Sequence, residues 1–311
     1  MRTPVEPQRT LNSPIHCSGI GLHSGGTVSL ALRPVGPDTG ILFRRTDIDG
    51  REAVIPADWS NVVDSTMCTV LGNDHGDTVG TVEHLMAALW GCGIDNLIVD
   101  TYGPEVPIMD GSAEPFVFLI ECAGVMEQPA ARRAIRVLKQ VKVGDLKRQA
   151  VLTPHPGVRV SFAIEFDSPA VARQETALSL SNGTFKQDIA RARTFGFLEE
   201  VKRLKDMGLV RGGSLDNAVV VNGDEVLNEG GLRYEDEFVR HKVLDCIGDL
   251  YLAGAPIVGH FHGHCSGHKL NHRVLEALLT DDTAWCHTLL EPESLMPADY
   301  TPLAQDRAAL A

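Results

Sequence analysis

His241 and Asp245 stand four residues apart in Phe238-Val-Arg-His-Lys-Val-Leu-Asp-Cys-Ile-Gly-Asp249. On a helix, residues i and i+4 lie one turn apart on a single face. An imidazole and a carboxylate so placed can chelate one divalent cation with little rearrangement, and Asp249 continues the face a turn later. The same spacing also suits an ordinary His–Asp contact on a helix surface. A second helical stretch carries Glu83-His84 within Thr81-Val-Glu-His-Leu85. Adjacent helical residues point about 100° apart. If His84 binds an ion, Glu83 therefore reaches a water on it rather than the ion itself. His84, His241 and Asp245 with a fourth position open have the composition of a catalytic zinc site rather than a closed structural one. The HExxH pattern of the zincins is absent. Spacing alone leaves open that Glu83 is a solvated helix carboxylate.

A competing cluster lies at Gly259-His-Phe-His-Gly-His264, where His260, His262 and His264 fall on one face of a strand. It reads either as a second ligand set or as imidazoles on a half-polar sheet face. Gly19-Ile-Gly-Leu-His-Ser-Gly25 looks like a phosphate loop only superficially: no strand–helix unit surrounds it, so a turn before a strand is expected.

The elements that must position these groups can be read from periodicity. Thr27–Pro34 alternates as a strand and Gly40–Arg45 is a short one. Val82, Leu85, Met86, Leu89 and Trp90 define a helix capped by Thr81 and ended by Gly91 or Gly93. A buried strand Asn96–Asp100 follows, then a helix from Ser112 to about Gly124. Residues 127–134 are polar, lack periodicity and read as a linker. Strands resume at Ala134 and at Val158–Phe166, a mostly helical stretch broken near Thr194-Phe-Gly covers Lys186 to about Met207, and Ala218–Val221 is a strand. A long helix over 235–252, a strand over 256–264 and a helix over 268–279 complete the pattern. The order helix, strand, loop, helix occurs in both halves. It predicts an α+β duplication of two sheets packed against helices: residues 1–126, the linker 127–134, residues 135–296, and a loosely held tail 297–311.

The 311 residues carry 28 Lys and Arg against 41 Asp and Glu, a net charge of −13, which disfavours a nucleic-acid partner. The seven cysteines form no CxxC pair and suit a reducing cytoplasm. Neither a secretory leader nor a transmembrane segment is expected. Of the twelve histidines, seven lie at or beyond position 241, which raises the expectation of a metal site.

The segments Gly19–Gly25, Thr81–Leu85, Gly93–Leu97, Pro107–Ser112, Ala192–Phe197, Glu235–Lys242 and Ser266–His268 closely resemble the bacterial UDP-3-O-(3-hydroxyacyl)-N-acetylglucosamine deacetylases, zinc hydrolases of lipid A biosynthesis. The resemblance spans roughly positions 8–290 and implies a duplicated sandwich with the active site between its halves. It implies zinc on His84, His241 and Asp245, with Fe²⁺ able to take the same ligands, and Glu83 as catalytic base. It further implies His268 as a catalytic histidine partnered by Asp249, and Thr194 at the reacting carbonyl. Lys242 falls near the nucleotide-sugar phosphates, with Arg191, Arg193 and Arg240 expected along the same rim. Val201, Val210, Ser214, Leu215 and Val220 match an acyl-chain passage, and Phe162 and Phe195 are candidates for packing on sugar or uracil. His260, His262 and His264 are outside the family's motif. The implied substrate is an acylated UDP-sugar, hydrolysed by a cytoplasmic monomer. Other readings of the same residues are zinc chemistry on a different N-acyl sugar, and a non-catalytic sensor. The sensor would be expected to lack one of Glu83, His84, His241 or Asp245.

Overall fold

The computed structural model describes residues 5–295. In the first half, strands Ile15–Ile20, Thr27–Pro34, Leu97–Tyr102, Ile41–Arg45 and Ala53–Pro56 lie side by side in that order. All neighbours are antiparallel except Ile41–Arg45 with Leu97–Tyr102. Alternation in Thr27–Pro34 turns Val28, Leu30 and Leu32 inward, as its pattern predicts. There Leu30 and Leu32 share a core with helices α1 (Glu83–Cys92) and α2 (Glu114–Ala123).

The second half repeats the plan around strand Ile257–His264. That strand runs antiparallel to Gln149–Thr153 and parallel to both Arg133–Val137 and Val158–Glu165. Val141–Gly144, Arg173–Ser179 and Trp285–Leu289 complete a seven-stranded sheet. Between these strands the chain forms one turn α3 (Asn182–Thr184), helix α4 (Leu198–Asp206), and then helices α5 (Glu237–Tyr251) and α6 (His268–Leu279). A small sheet of Phe195–Phe197, Val219–Asn222 and Glu225–Val226 packs beside α4. The chain is thus the expected α+β protein, with helices of the two halves packed on one another through α1 and α5.

Every residue of α1 is buried, because the helix is enclosed between the first sheet and α5. Gly248 permits the approach: a Cβ there would sit 2.0 Å from the backbone oxygen of Glu83. Gly91 plays a similar part, since a Cβ there would lie 2.0 Å from the Phe185 ring.

Three local expectations need correction. Residues 127–131 are not irregular: they belong to strand Val125–Ala131, paired antiparallel with Pro7–Leu11. Its inward Gln128 accepts from Asn96 Nδ2 (2.8 Å) and donates to the Val35 carbonyl (2.7 Å), so a buried polar residue hides the strand's alternation. Thr81 does not cap α1. Its φ is +56° and its hydroxyl donates to Glu105 Oε2, leaving Val82 at the helix entry. The stretch 186–207 does break near Thr194 as expected, but the break is a strand, Phe195–Phe197, and the segment before it, Phe185–Ile189, is π-helical, with α4 following. The expected tail 297–311 lies outside the described residues.

The loop 21–26 forms the turn between strands Ile15–Ile20 and Thr27–Pro34, as expected. Glu105 accepts the backbone N–H groups of His23 and Ser24, at 3.1 and 2.8 Å. Gly212, from the second half, packs so closely that a Cβ on it would stand 2.2 Å from the Gly21 oxygen.

Candidate active site

Helices α1 and α5 bring His84, His241 and Asp245 together. His241 Nε2 and His84 Nε2 lie 3.2 and 3.5 Å from Asp245 Oδ1, and the two imidazole centroids are 5.0 Å apart and nearly perpendicular. All three side chains are buried. Among the described residues, this is the one group of three or more His, Cys, Asp or Glu residues whose ligand atoms lie within 4.8 Å of one another.

The donor set fits a divalent transition metal on chemical grounds as well as distance. Asp245 Oδ1 is buried and has no hydrogen-bond partner, a costly state for a carboxylate oxygen unless a cation meets it. The other oxygen accepts from Lys242 Nζ at 2.8 Å. His241 donates its Nδ1–H to the Ala192 carbonyl at 3.0 Å, which leaves the Nε2 lone pair facing the centre. Burial pushes the His241 pKa down despite the nearby Asp245, favouring the neutral imidazole a metal requires. Burial opposes ionisation of Asp245, but His241, Lys242 and His268 outweigh it and hold the carboxyl well below its usual range.

Glu83 and His268 stand beside this triad. Glu83 Oε2 accepts the Thr69 backbone N–H at 3.1 Å, while its Oε1 lies 3.7 Å from His268 Nε2. Burial raises the Glu83 pKa, partly offset by the neighbouring His268 and His84. His268 Nδ1 donates to Asp249 Oδ2 at 2.9 Å. Burial alone would neutralise His268, but Asp249, Glu83 and Asp245 together lift its pKa to about 10. Asp249 itself is fully buried, a penalty that His268 and His272 overcome, so its carboxyl stays far below the usual carboxylate range. Burial thus favours a proton on the Glu83 carboxyl, and the neighbouring carboxylates favour one on the His268 imidazole.

The model of the LpxC family, UDP-3-O-acyl N-acetylglycosamine deacetylase, matches residues 8–280. This chain belongs to that family. A UDP-3-O-acyl-N-acetylglucosamine deacetylase of Acidithiobacillus ferrooxidans is 56% identical over 280 residues, covering 89% of this chain and 91% of its own length. Proteins of the same name are 50% identical in Teredinibacter turnerae, over 94% and 97% of the two chains, and 47% identical in Haemophilus influenzae, over 96% and 98%.

In this deacetylase-family chain the remaining expected site residues fall in distinct places. Thr194 is held at the mouth of the small sheet, its N–H donating to the Gly111 carbonyl and its own carbonyl accepting from Val219 N, each at 2.8 Å. Phe195 packs edge-on against Phe238 with centroids 4.9 Å apart, and Lys242 Nζ sits 5.6 Å from its ring centroid. Both residues therefore adjoin the group formed by His84, His241 and Asp245. Val201, on α4, packs on Gly196, and Val220 lies on the neighbouring strand Val219–Asn222. Val210, at φ +52°, packs on Gly213. Ser214 accepts from Asp216 N, whereas Leu215 is 48% exposed.

Phe162 is placed differently from expectation. It is 1% exposed and stacks on Phe261 in the core of the second sheet, so it offers no surface to a sugar or uracil. Two of the three strand histidines have a partner other than a metal: the Ser161 hydroxyl lies 2.8 Å from His260 Nε2 and 2.9 Å from His262 Nδ1. Of the arginines expected at the rim, Arg193 is instead committed to the fully buried Glu237 at 2.8 Å, and Arg240 bonds Asp236 at 2.5 Å.

Three residues around Glu83, His268 and Asp249 were not singled out in the sequence: Thr69, Asn271 and His272. Asn271 Nδ2 donates to Asp249 Oδ2 at 2.9 Å, and the Thr69 hydroxyl donates to Asp249 Oδ1 at 2.6 Å. His272 Nε2 lies 3.4 Å from the same Oδ1. The one available signal was the i, i+4 pair His268/His272 opening α6.

Proposed function

We propose that this enzyme hydrolyses the N-acetyl amide of UDP-3-O-(3-hydroxyacyl)-N-acetylglucosamine, giving acetate and the free amine in lipid A biosynthesis. The observation that carries this reading is the buried, unpartnered Asp245 Oδ1 facing two imidazole nitrogens, with a carboxyl–imidazole pair 3.7 Å apart at its side. The names and extent of the relatives support it. Zinc is the ion proposed for His84, His241 and Asp245, and Fe²⁺ suits the same ligands. When bound, such an ion lowers the pKa of water from about 15.7 toward about 7 and polarises an acyl oxygen.

Glu83 is the general base. With one oxygen tied to Thr69 N–H, its other oxygen is directed toward the reaction space and takes the proton of the attacking water, a contribution of roughly 10²–10⁴-fold. The His268 Nε2–H and the Thr194 hydroxyl stabilise the negative charge on the former carbonyl oxygen. As the C–N bond breaks, the amine receives its proton from Glu83 or from His268. Asp249 keeps His268 cationic until that point.

Lys242 and Arg191 supply positive charge for the diphosphate, Phe195 packs on the sugar or base, and Val201, Val210, Ser214, Leu215 and Val220 line the acyl passage. Each methylene buried there stabilises binding by about 0.8 kcal/mol, so this passage sets chain-length preference. The enzyme acts as a cytoplasmic monomer of two domains, 1–126 and 135–296.

The test is deacetylation of the UDP-linked substrate and of an unlinked N-acyl sugar, before and after chelation, with Zn²⁺ or Fe²⁺ restored. Turnover should require the ion and favour the UDP-linked compound. Full activity in metal-free enzyme would overturn the hydrolase reading, and equal use of the unlinked sugar would overturn the substrate.

A further inference from the structure

We infer that Thr69 is a positioning residue that holds the base and the acid of this site in mutual register, with His272 ordering its hydroxyl. Thr69 precedes strand Val70–Gly72 and is fully buried. Its backbone N–H donates to Glu83 Oε2 at 3.1 Å, and its hydroxyl donates to Asp249 Oδ1 at 2.6 Å. Asp249 in turn accepts His268 Nδ1–H on its other oxygen at 2.9 Å. One residue of the first half thus bonds to the group that takes the proton and, through Asp249, to the group that holds one.

The direction of the donors follows from chemistry. Asp249 is ionised and can only accept, so the Thr69 hydroxyl spends its single proton on Oδ1. His272 Nε2, 2.9 Å from the Thr69 oxygen, must then be the donor in that contact. His272 therefore carries a proton on Nε2, while its buried Nδ1 has no partner. The chain reads His272 Nε2–H to Thr69 Oγ1–H to Asp249 Oδ1. With Asn271 Nδ2 on Oδ2 at 2.9 Å, it fixes the plane of the Asp249 carboxylate and hence the aim of the His268 ring. A packing role alone would be served as well by valine, which has the shape of threonine without the hydroxyl.

This inference rests on the deacetylase reading, and the experiment separates the two. In the metal-loaded enzyme, Thr69→Val should lower kcat by about 10–100-fold, with KM and metal content within about twofold of wild type. Thr69→Ser, which keeps the hydroxyl, should restore kcat. Nitrogen-resolved NMR should show His272 protonated on Nε2 in the wild type and in Thr69→Ser, with that proton lost to exchange in Thr69→Val. Wild-type kcat in Thr69→Val, no rescue by serine, or a His272 proton on Nδ1 would each overturn the proposal. If Thr69→Val does not fold, His272→Phe removes the ordering donor at a position 10% exposed, and an unchanged kcat there overturns it equally. A wild-type enzyme without turnover would instead sink the functional reading, while leaving the NMR result to stand by itself.

Discussion

Gly248 faces the backbone carbonyl of Glu83 so closely that one added carbon would lie 2.0 Å from its oxygen. This contact is where the helix bearing the proposed base meets the helix bearing two of the proposed metal ligands. Gly248→Ala must push α1 and α5 apart or bend one of them. Overpacking of this kind costs about 1–3 kcal/mol, and here the displaced atoms include a site residue's backbone. The variant should show a lowered melting temperature and a lower metal content after dialysis. A wild-type melting temperature with full metal occupancy would show that the helices are free to shift.

Glu83→Gln keeps the size of the side chain but cannot take a proton. It should retain its metal and lose about 10²–10⁴-fold in kcat. The discriminating measurement is metal content alongside turnover, because loss of both would point to a ligand or folding defect instead.

The pH profile should depend on Asp249. His268 has its pKa lifted to about 10, largely by carboxylates that outweigh burial, so it is protonated at neutral pH and loses its proton as the pH rises through that value. Activity that needs the cation therefore falls on the alkaline side. Asp249→Asn removes the first of the lifting charges, and the alkaline limb of kcat should move to lower pH. The limb should be absent in His268→Ala. An alkaline limb at the same pH in Asp249→Asn would show that another group titrates there.

Arg132 is 1% exposed and donates to Asp95 Oδ1 at 2.7 Å, beside the Tyr251 hydroxyl that donates to the Ile94 carbonyl at 2.8 Å. This pair, its guanidinium buried and its carboxylate 14% exposed, joins the start of the second half to the turn after α1. Removing one partner strands the other charge, which costs about 3–5 kcal/mol. Arg132→Ala should therefore be strongly destabilised in urea, whereas an Arg132→Met, Asp95→Leu double variant should recover part of the loss. A single variant as stable as wild type would mean that water reaches Asp95.

The grouping of His84, His241 and Asp245 beside Glu83 was legible in the sequence because a helix converts spacing into direction. His241 and Asp245 had to share a face, and Glu83 and His84 had to diverge. The acid–base surroundings were not legible in the same way. Thr69 meets Asp249 across 180 positions of sequence, and half of its contribution is a backbone N–H that every residue but proline carries. Phe162 shows the opposite failure: an aromatic residue in an alternating strand looks alike whether it lines a pocket or fills a core, and only packing on Phe261 decides. The strand Val125–Ala131 escaped notice because its inward Gln128 satisfies buried polar groups rather than apolar ones. The repeated order of strands and helices was readable, since each half buries its sheet by the same means.

The imidazole of His241 is oriented by the main-chain carbonyl of Ala192, not by a side chain. Point mutation can exchange any side chain for another, but it cannot delete a peptide oxygen. The tautomer that presents Nε2 to the ion is therefore insulated from sequence drift at position 192 as long as the chain keeps its path there. His84 has no such tether on its buried Nδ1, so the two imidazoles should tolerate neighbouring substitutions unequally over evolutionary time.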